Sequence, residues 1–155
     1  MRAAGQLGLQ VSVRRFSIED APFVAELSDQ AFAEYGARPS RYTLSVIQRP
    51  TTHTWVAVEA GAQLGVVVLE LDGSRAALLA LAVTERARGR GIGGLLMQAA
   101  EQCARRKGVS QLVLFTADSN LAALDLFLRR GFRIVRRKPG FYSRQQDACE
   151  LAKAL

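Results

Sequence analysis

A glycine-rich segment at residues 88–94, Arg-Gly-Arg-Gly-Ile-Gly-Gly, has the composition of an anion-binding loop. The apolar, uncharged segment 76–83 before it predicts a buried strand, and apolar residues after it recur at helical spacing as far as Gly108. The free N–H groups and the dipole of a helix start attract anions, and glycine lets the main chain approach a phosphate closely. The segment therefore predicts a binding site for a phosphate-bearing ligand. Three arginines add positive charge beside it, namely Arg86, Arg88 and Arg90.

Two common phosphate-binding motifs fit this segment poorly. A P-loop requires Lys and then Ser or Thr after its last glycine, but Gly93 is followed by glycine and leucine. The dinucleotide motif GxGxxG matches from Gly89 to Gly94, yet the five residues 84–88 separate it from the strand. That motif also expects an acidic residue about 20 positions on, and residues 109–114 contain no carboxylate. Nicotinamide dinucleotide binding is therefore the weaker interpretation.

A third pattern, Arg or Gln-x-x-Gly-x-Gly or Ala after a buried strand, matches at Arg88, Gly91 and Gly93. A second stretch, residues 120–132, reads Asn-Leu-Ala-Ala-Leu-Asp-Leu-Phe-Leu-Arg-Arg-Gly-Phe and predicts a helix with an asparagine N-cap and a glycine C-cap. With these two motifs in this order, the chain resembles the GNAT superfamily of acyl-CoA N-acyltransferases. The resemblance covers nearly the whole chain, roughly residues 10–150.

The order of the predicted elements agrees with that resemblance, which implies an α/β (α+β) fold, the GNAT fold, with a mixed central sheet of about seven strands flanked by about four helices. Asp20 is expected to cap the first helix, and the three middle strands are expected to form an antiparallel meander. The predicted elements are a strand at Leu9–Phe16, helices at Asp20–Tyr35 and Ser40–Gln48, strands at Thr54–Glu59, Gln63–Leu71 and Arg75–Val83, the glycine loop and its long helix, a strand at Gln111–Phe115, a helix from Asn120, and strands at Arg133–Arg137 and Ala148–Ala152.

Composition places the chain among folded single-domain proteins. Its 155 residues are 49% hydrophobic and 23% charged, which fits one domain over residues 9–155 after a disordered start at residues 1–8. No apolar segment approaches the roughly 20 residues of a membrane span, so no membrane partner is expected. Cys103 and Cys149 lack metal-ligand spacing, and in the absence of an export signal they favour a cytoplasmic location and no metal.

The net charge of +7 indicates attraction to a polyanion. The densest basic segment is 129–138, which spans the end of one predicted helix and the strand after it. No RNA- or DNA-binding motif accompanies this charge, so nucleic-acid binding is the less favoured interpretation. The phosphates of CoA account for part of the basic character.

The resemblance implies how acetyl-CoA is bound. Residues 88–94 would bind its pyrophosphate through main-chain N–H groups, and the strand end at 81–83 would pair with the pantetheine amides. A main-chain N–H there would polarise the thioester carbonyl. The helix from residue 120 would face the cofactor from the next element. The implied cofactor-binding residues are Leu81, Ala82, Val83, Arg88, Gly89, Arg90, Gly91, Ile92, Gly93, Gly94, Asn120, Ala123 and Phe127.

Two phenylalanines stand where the resemblance implies groups that move protons. Family members commonly have Tyr at the place of Phe127, where it protonates the leaving thiolate. The ribosomal-protein N-terminal acetyltransferases of the family also have Glu at the place of Phe115. Because Phe can do neither, the ribosomal substrate is not assigned to this chain. CoA thiolate is a fair leaving group near neutral pH, so the loss of the acid need not abolish activity.

Four other residues are candidates for the chemistry and for acceptor binding. Tyr142, in the loop before the last strand, and Glu70, late in the third strand, are candidate catalytic residues. Glu34 and Tyr35, at the end of the first helix, are candidate substrate-binding residues, because that region usually borders the acceptor in the family. A general base must lie within one water of the amine, which the spacing of residues does not determine.

The resemblance implies an N-acetyltransferase that moves an acetyl group from acetyl-CoA to a primary amine by direct attack. The acceptor would be a protein N-terminus, a lysine or a small-molecule amine. Two alternatives stay open: a CoA-binding regulatory or interaction domain with weak chemistry, which the two phenylalanines favour, and a basic RNA- or ribosome-associated module. A homodimer paired through the C-terminal strands is also compatible with the resemblance.

Overall fold

The computed structural model describes residues 10–36 and 38–155. The start that we expected to be disordered, residues 1–8, lies outside the described residues, as does Leu9 of the first predicted strand. The elements are β1 (Ser12–Arg15), α1 (Ala21–Phe32), α2 (Pro39–Ile47), β2 (Thr52–Glu59), β3 (Ala62–Asp72), β4 (Arg75–Val83), α3 (Ile92–Arg106), β5 (Gln111–Ala117), α4 (Leu121–Arg129), β6 (Arg133–Lys138) and β7 (Ala148–Ala154).

Within the described residues, seven strands form one sheet in the order β1-β2-β3-β4-β5-β7-β6. All neighbouring strands are antiparallel except β4 and β5, which are parallel. The expected mixed sheet of about seven strands with four helices is therefore confirmed, and so is the antiparallel meander of β2, β3 and β4. The last strand, β7, lies between β5 and β6.

The helices cover the two faces of this sheet unequally. On one face, α3 and α4 enclose a core that contains Leu96 and Phe127. On the other face, α1 and α2 pack through Val24 and Val46 on the middle of β3 and β4. Side chains alternate along a strand, so Phe115 lies on this second face, because Leu114 beside it belongs to the first core. Its exposure of 38% shows that α1 and α2 leave the β5 side of this face open.

A bulge in β4 changes the face on which its side chains lie. Val68 and Leu69 of β3 pair with Ala80 and Leu78, so Leu79 has no partner in β3. An extra residue reverses the alternation of side chains along a strand. Leu78 accordingly packs in the α3 core, whereas Ala80 packs under α1 and α2.

Asp20 is the N-cap residue of α1, as predicted, but its side chain does not bond to the first N–H groups of the helix. The Asp20 carboxylate accepts two hydrogen bonds from Arg14 at 2.7 and 2.9 Å, one from the Ser17 N–H and one from Gln63. The hydrogen bonds from Arg14 hold the pKa of this carboxyl well below its usual range. At 1% exposure, Asp20 instead ties β1 and β3 to the start of the helix.

The other predicted boundaries lie within three residues of those observed. The helix expected to reach Tyr35 ends at Phe32, because residues 33–35 form a turn in which the Tyr35 N–H donates to the Phe32 carbonyl. No helix in the described part of the chain combines the length and the apolar composition of a membrane span.

A buried carboxylate fixes α3 to its neighbours. Glu101 of α3 is 3% exposed and pairs with Lys153 of β7 at 2.6 Å and with Arg130, which follows α4, at 2.9 Å. Burial alone would raise the pKa of Glu101, but these two cations outweigh it and hold the pKa below its usual value. The helix that follows the glycine loop is therefore held by ion pairs as well as by apolar packing.

Candidate active site

The strands β4 and β5 separate partway along their length. Their parallel pairing runs from Arg75 and Gln111 to Leu78 and Leu114 and stops there. Beyond that point β4 stays paired with β3 on its other side, while residues 115–117 pair only with β7. One edge of β4, from residue 79 to residue 83, is therefore open, and its N–H and C=O groups are available to a ligand that carries amides.

The β4 bulge lies at the point where the strands part. Leu79 is left out of the β3 ladder, and it directly follows Leu78, the last residue paired with β5. A main-chain N–H outside both ladders is a hydrogen-bond donor without a strand partner. Sequence reasoning expected the ligand along 81–83 but did not detect this bulge, since its register is set by β3 rather than by local composition.

The glycine loop leads from the end of β4 to the start of α3. Gly89 and Gly91 have φ of 78° and 80°, a conformation that residues with a side chain rarely adopt. A Cβ at either position would meet no atom within 4 Å, so open space lies in front of both. Gly91 is the N-cap of α3 and provides no side-chain cap, which leaves the first N–H groups of the helix free for an anion.

The last two glycines of the loop have a packing role. A Cβ on Gly93 would lie 3.2 Å from Leu126 of α4, and one on Gly94 would lie 3.6 Å from the Arg130 guanidinium. Their small size therefore lets α3 approach α4. Ile92, between the two types of glycine, is buried in the core and anchors the first turn.

The three arginines of the loop differ in their partners. Arg90 forms a two-pronged ion pair with Glu59 of β2, and this hydrogen bonding lowers the pKa of Glu59 and raises that of Arg90. Arg88 donates to the Val83 carbonyl at 3.4 Å, and Arg86 is exposed. Glu59 therefore already neutralises part of the positive charge that we expected to attract a phosphate.

The second motif forms α4, which follows the end of β5 that separates from β4. Asn120 caps this helix, since its Oδ1 accepts from the Ala123 N–H at 3.3 Å. Ala123 is partly buried against the core. Phe127 is 5% exposed and packs edge-on against Phe132, with ring centroids 5.7 Å apart. Phe127 is therefore a residue of the hydrophobic core.

A cavity of about 300 Å³ lies on the open face, over the closed end of the β4–β5 gap. Glu70 and Phe115 both line it. The Glu70 Oε2 accepts from Arg49 at 3.0 Å and from Thr51 at 3.3 Å. Phe115 stacks on Phe141, with centroids 5.1 Å apart. The remaining lining residues are Asp72, Arg75, Ala76, Ala77, Val113, Arg136, Lys138 and Glu150.

Two loops meet near Phe141, which stacks on Phe115 of the cavity, and they bring together three predicted site residues, none of which lines the cavity itself. The α1–α2 loop and the β6–β7 loop are joined where the Tyr35 and Tyr142 rings lie 5.3 Å apart. The Ser143 N–H donates to the Tyr35 carbonyl, and Gln146 donates to the Glu34 carbonyl at 2.6 Å. Glu34 therefore contributes to this junction through its main chain.

The chemistry available at the junction is that of a protonated phenol. Burial raises the pKa of Tyr142 to about 12, with Tyr35 and Cys149 adding to the effect. Burial also raises the pKa of Tyr35. Both hydroxyl groups are therefore protonated near neutral pH and can donate. Tyr142 also contacts Phe141 edge-on at 5.0 Å, so an aromatic chain links the junction to Phe115 in the cavity.

Sequence reasoning missed two acidic residues of the cavity, the exposed Asp72 and the buried Glu150. Glu150 of β7 pairs with Phe115 across the antiparallel strands and is 8% exposed. No motif contains it, and its place beside Phe115 depends on the insertion of β7 between β5 and β6, which the chain order does not reveal. In the described part of the chain, no three His, Cys, Asp or Glu residues lie close enough together to hold a metal ion.

Comparison with known proteins gives three similarities and a family match. The model of the acetyltransferase (GNAT) family matches residues 18–132. An uncharacterized N-acetyltransferase of Methanocaldococcus jannaschii is 27% identical over 142 residues, which cover 91% of this chain and 90% of that protein. The IAA acetyltransferase from Bacillus cereus has a TM-score of 0.79 at 26% identity and covers 94% of this chain and 100% of its own. The ribosomal-protein-S18-alanine N-acetyltransferase from Escherichia coli has a TM-score of 0.82 at 21% identity, with 94% of each chain covered, and shows the shared fold.

Proposed function

Because this chain belongs to the acetyltransferase (GNAT) family, we propose that it transfers an acetyl group from acetyl-CoA to a primary amine. The observation that carries the proposal is the separation of β4 from β5 beyond Leu78, directly before the glycine loop. An open strand edge suits the pantetheine amides, and an uncapped helix start suits a pyrophosphate. The open strand edge and the uncapped helix start follow each other along the chain, just as pantetheine and pyrophosphate follow each other in acetyl-CoA.

In this proposal the main chain does most of the binding. The N–H groups at the start of α3, together with Gly89 and Gly91, hold the pyrophosphate in the open space in front of them. The free edge of β4 at residues 81–83 pairs with pantetheine. The bulge at Leu79 supplies a main-chain N–H for the thioester carbonyl, where negative charge develops during attack. Asn120 and Ala123 border the cofactor from the start of α4.

The acceptor enters from the opposite side, through the cavity on the open sheet face. Its neutral amine attacks the thioester carbon, a C–N bond forms and the C–S bond breaks. The nitrogen loses a proton and the CoA thiolate gains one. Tyr142 supplies the thiolate proton in this proposal, which is supported by its phenol being protonated near neutral pH. In this proposal Glu34 and Tyr35 contact the acceptor from the junction that they form with the β6–β7 loop.

A second candidate function is a CoA-binding domain with little chemistry. It is favoured by Phe127, which is packed in the core, and by Phe115, since neither ring can transfer a proton. A nucleic-acid-binding module has less support, because four cations of the basic segment pair with carboxylates. The pairs are Arg129 with Asp125, Arg130 with Glu101, Arg136 with Glu150 and Arg137 with Asp118.

The test is release of CoA thiol from acetyl-CoA in the presence of an amine panel. The panel consists of a peptide with a free N-terminus, Nα-acetyl-lysine amide and spermidine, with product masses measured for each. Amine-dependent release together with an acetylated product supports the transferase. Binding of acetyl-CoA without release for any of the amines supports the second candidate instead.

A further inference from the structure

One carboxylate in the acceptor cavity combines burial with an unused oxygen. Glu150 is 8% exposed and lines the cavity. Its Oε1 accepts a hydrogen bond from Arg136 at 2.7 Å. Among the described residues no donor bonds to Oε2, and Oε2 is accessible to solvent. The guanidinium therefore fixes the carboxylate and leaves one oxygen free for a ligand or a water.

Glu150 lies opposite Phe115, close to the point where β4 and β5 part. The two residues are directly paired across β5 and β7, so their side chains stand on the same face of the sheet. Directly opposed residues of an antiparallel pair have Cβ atoms about 4.5–5.5 Å apart. Phe115 follows Leu114, the last β5 residue paired with β4. Glu150 thus lies one strand away from the closed end of the cleft.

The other two carboxylates of the cavity are placed differently. Glu70 has its Oε2 bonded to both Arg49 and Thr51, which draws it toward the α2–β2 connection. Asp72 ends β3 at the turn before β4 and is exposed. The cations that face Glu150 are Arg136 and Lys138 from β6 and Arg75 across the cavity, while Phe115 on β5 is uncharged. Of the three acids, Glu150 alone is on the strand next to β5.

We propose that Glu150 is the general base that removes a proton from the acceptor ammonium, directly or through one water. The inference rests on the proposed function. The ammonium gives one proton to Oε2 and becomes the neutral amine that attacks the thioester. Tyr142 protonates the thiolate released by C–S cleavage, and the second ammonium proton, which leaves the nitrogen as the C–N bond forms, replaces the proton of Tyr142 through solvent. Glu150 returns its proton to solvent, so the net reaction releases one proton per amide formed.

The test compares wild type with Glu150→Gln across pH, using the panel amine that wild type acetylates fastest. Glutamine keeps the shape and an oxygen for Arg136 but cannot accept the proton. A positioned general base contributes about 10² or more, so kcat/KM should fall by about 100-fold at neutral pH. The deficit should shrink as the pH rises, because the free amine then needs no base. Asp125→Asn, which removes an exposed carboxylate from an arginine pair on α4, is the matched control.

A second variant separates chemistry from folding. Phe115→Glu in the Glu150→Gln background returns a carboxylate to the same face one strand away, and it should restore part of the lost rate. A pH-independent loss with no rescue would show that Glu150 is structural and overturn the inference. So would normal turnover by Glu150→Gln, or a pH-dependent loss found instead in Glu70→Gln. If wild type binds acetyl-CoA but acetylates no amine, the proposed function itself fails, and the inference fails with it.

Discussion

Leu78 of β4 and Leu114 of β5 are the last pair of residues that join these two strands. The next residue of β4, Leu79, is a bulge, and the next residue of β5, Phe115, pairs with Glu150 of β7. The gap between the two strands, where we propose that the cofactor binds, opens on one side of this pair, and the cavity that we propose for the acceptor lies beside it on the open sheet face. The reaction centre that we propose lies where the two strands part.

The N-cap glycine of α3 should be essential for acetyl-CoA binding. Gly91→Glu adds a carboxylate to the open space in front of the helix start, where it would repel a phosphate and occupy its place. We expect acetyl-CoA affinity to fall on the order of 100-fold, as measured by titration calorimetry.

Gly73→Glu is the control for that substitution. Gly73 has φ of 61°, nothing within 4 Å of its Cβ position, and a place at the opposite end of β4. Both substitutions should cost about 1–2 kcal/mol of stability through the left-handed backbone, but only Gly91→Glu should lose the cofactor. Equal affinity in the two variants would contradict the placement of the pyrophosphate.

The cap of α4 allows stability and cofactor binding to be separated. Asn120→Ala removes the hydrogen bond to the Ala123 N–H and should cost about 1 kcal/mol of unfolding free energy. Asn120→Asp keeps a capping oxygen and should keep the melting temperature. Its negative charge should nevertheless weaken acetyl-CoA binding several-fold. Thermal melts and calorimetry on both variants check this. An unchanged affinity in Asn120→Asp would show that Asn120 does not lie beside the cofactor.

Tyr142→Phe should lower kcat by roughly 100-fold if the phenol protonates the thiolate. Acetyl-CoA affinity should be unchanged, because in the proposed function the main chain binds the cofactor. Since burial raises the pKa of Tyr142 to about 12, the hydroxyl stays protonated from neutral to moderately alkaline pH, and wild type should show no loss of rate from this group in that range. Tyr42→Phe, at an exposed position on α2, is the control. Equal kcat in the two variants would exclude the proton-donor role.

The stability of the fold should depend on the charge of Asp20. Its pKa is depressed in the folded state by Arg14, so the unfolded chain binds the proton more readily and acid favours unfolding. Asp20→Asn should cost about 3 kcal/mol at neutral pH through loss of a buried charged hydrogen-bond network. This cost should shrink as the pH falls below about 4, the ordinary pKa of Asp. Urea unfolding at several pH values measures it, and a pH-independent cost would contradict the assigned charge.

The local features of this fold were predictable from local sequence. The glycine loop, the strand before it and the asparagine cap of α4 depend on residues within one turn or one strand of each other. The helix start at Asp20 was predicted at the right position, but its carboxylate bonds to Arg14 and to the distant Gln63 of β3 instead of capping the helix. Capping preferences describe an isolated helix and do not include such tertiary partners.

The acceptor side could not be predicted to the same depth. Glu150 and Phe115 are 35 residues apart in the sequence, and they meet only because β7 is inserted between β5 and β6. Glu70 lines the cavity, but its pairing with Arg49 depends on the connection after α2, which local sequence does not reveal. The homodimer and the cytoplasmic location stay predictions.

Titration of the protein with acetyl-CoA, with NADH as the control nucleotide, tests the central claim most directly. Both ligands carry a pyrophosphate, but only acetyl-CoA has a pantetheine arm that can pair with the free edge of β4. We predict micromolar binding of acetyl-CoA and no measurable binding of NADH. Absence of acetyl-CoA binding, or equal binding of the two, would contradict the assignment of the cleft between β4 and β5.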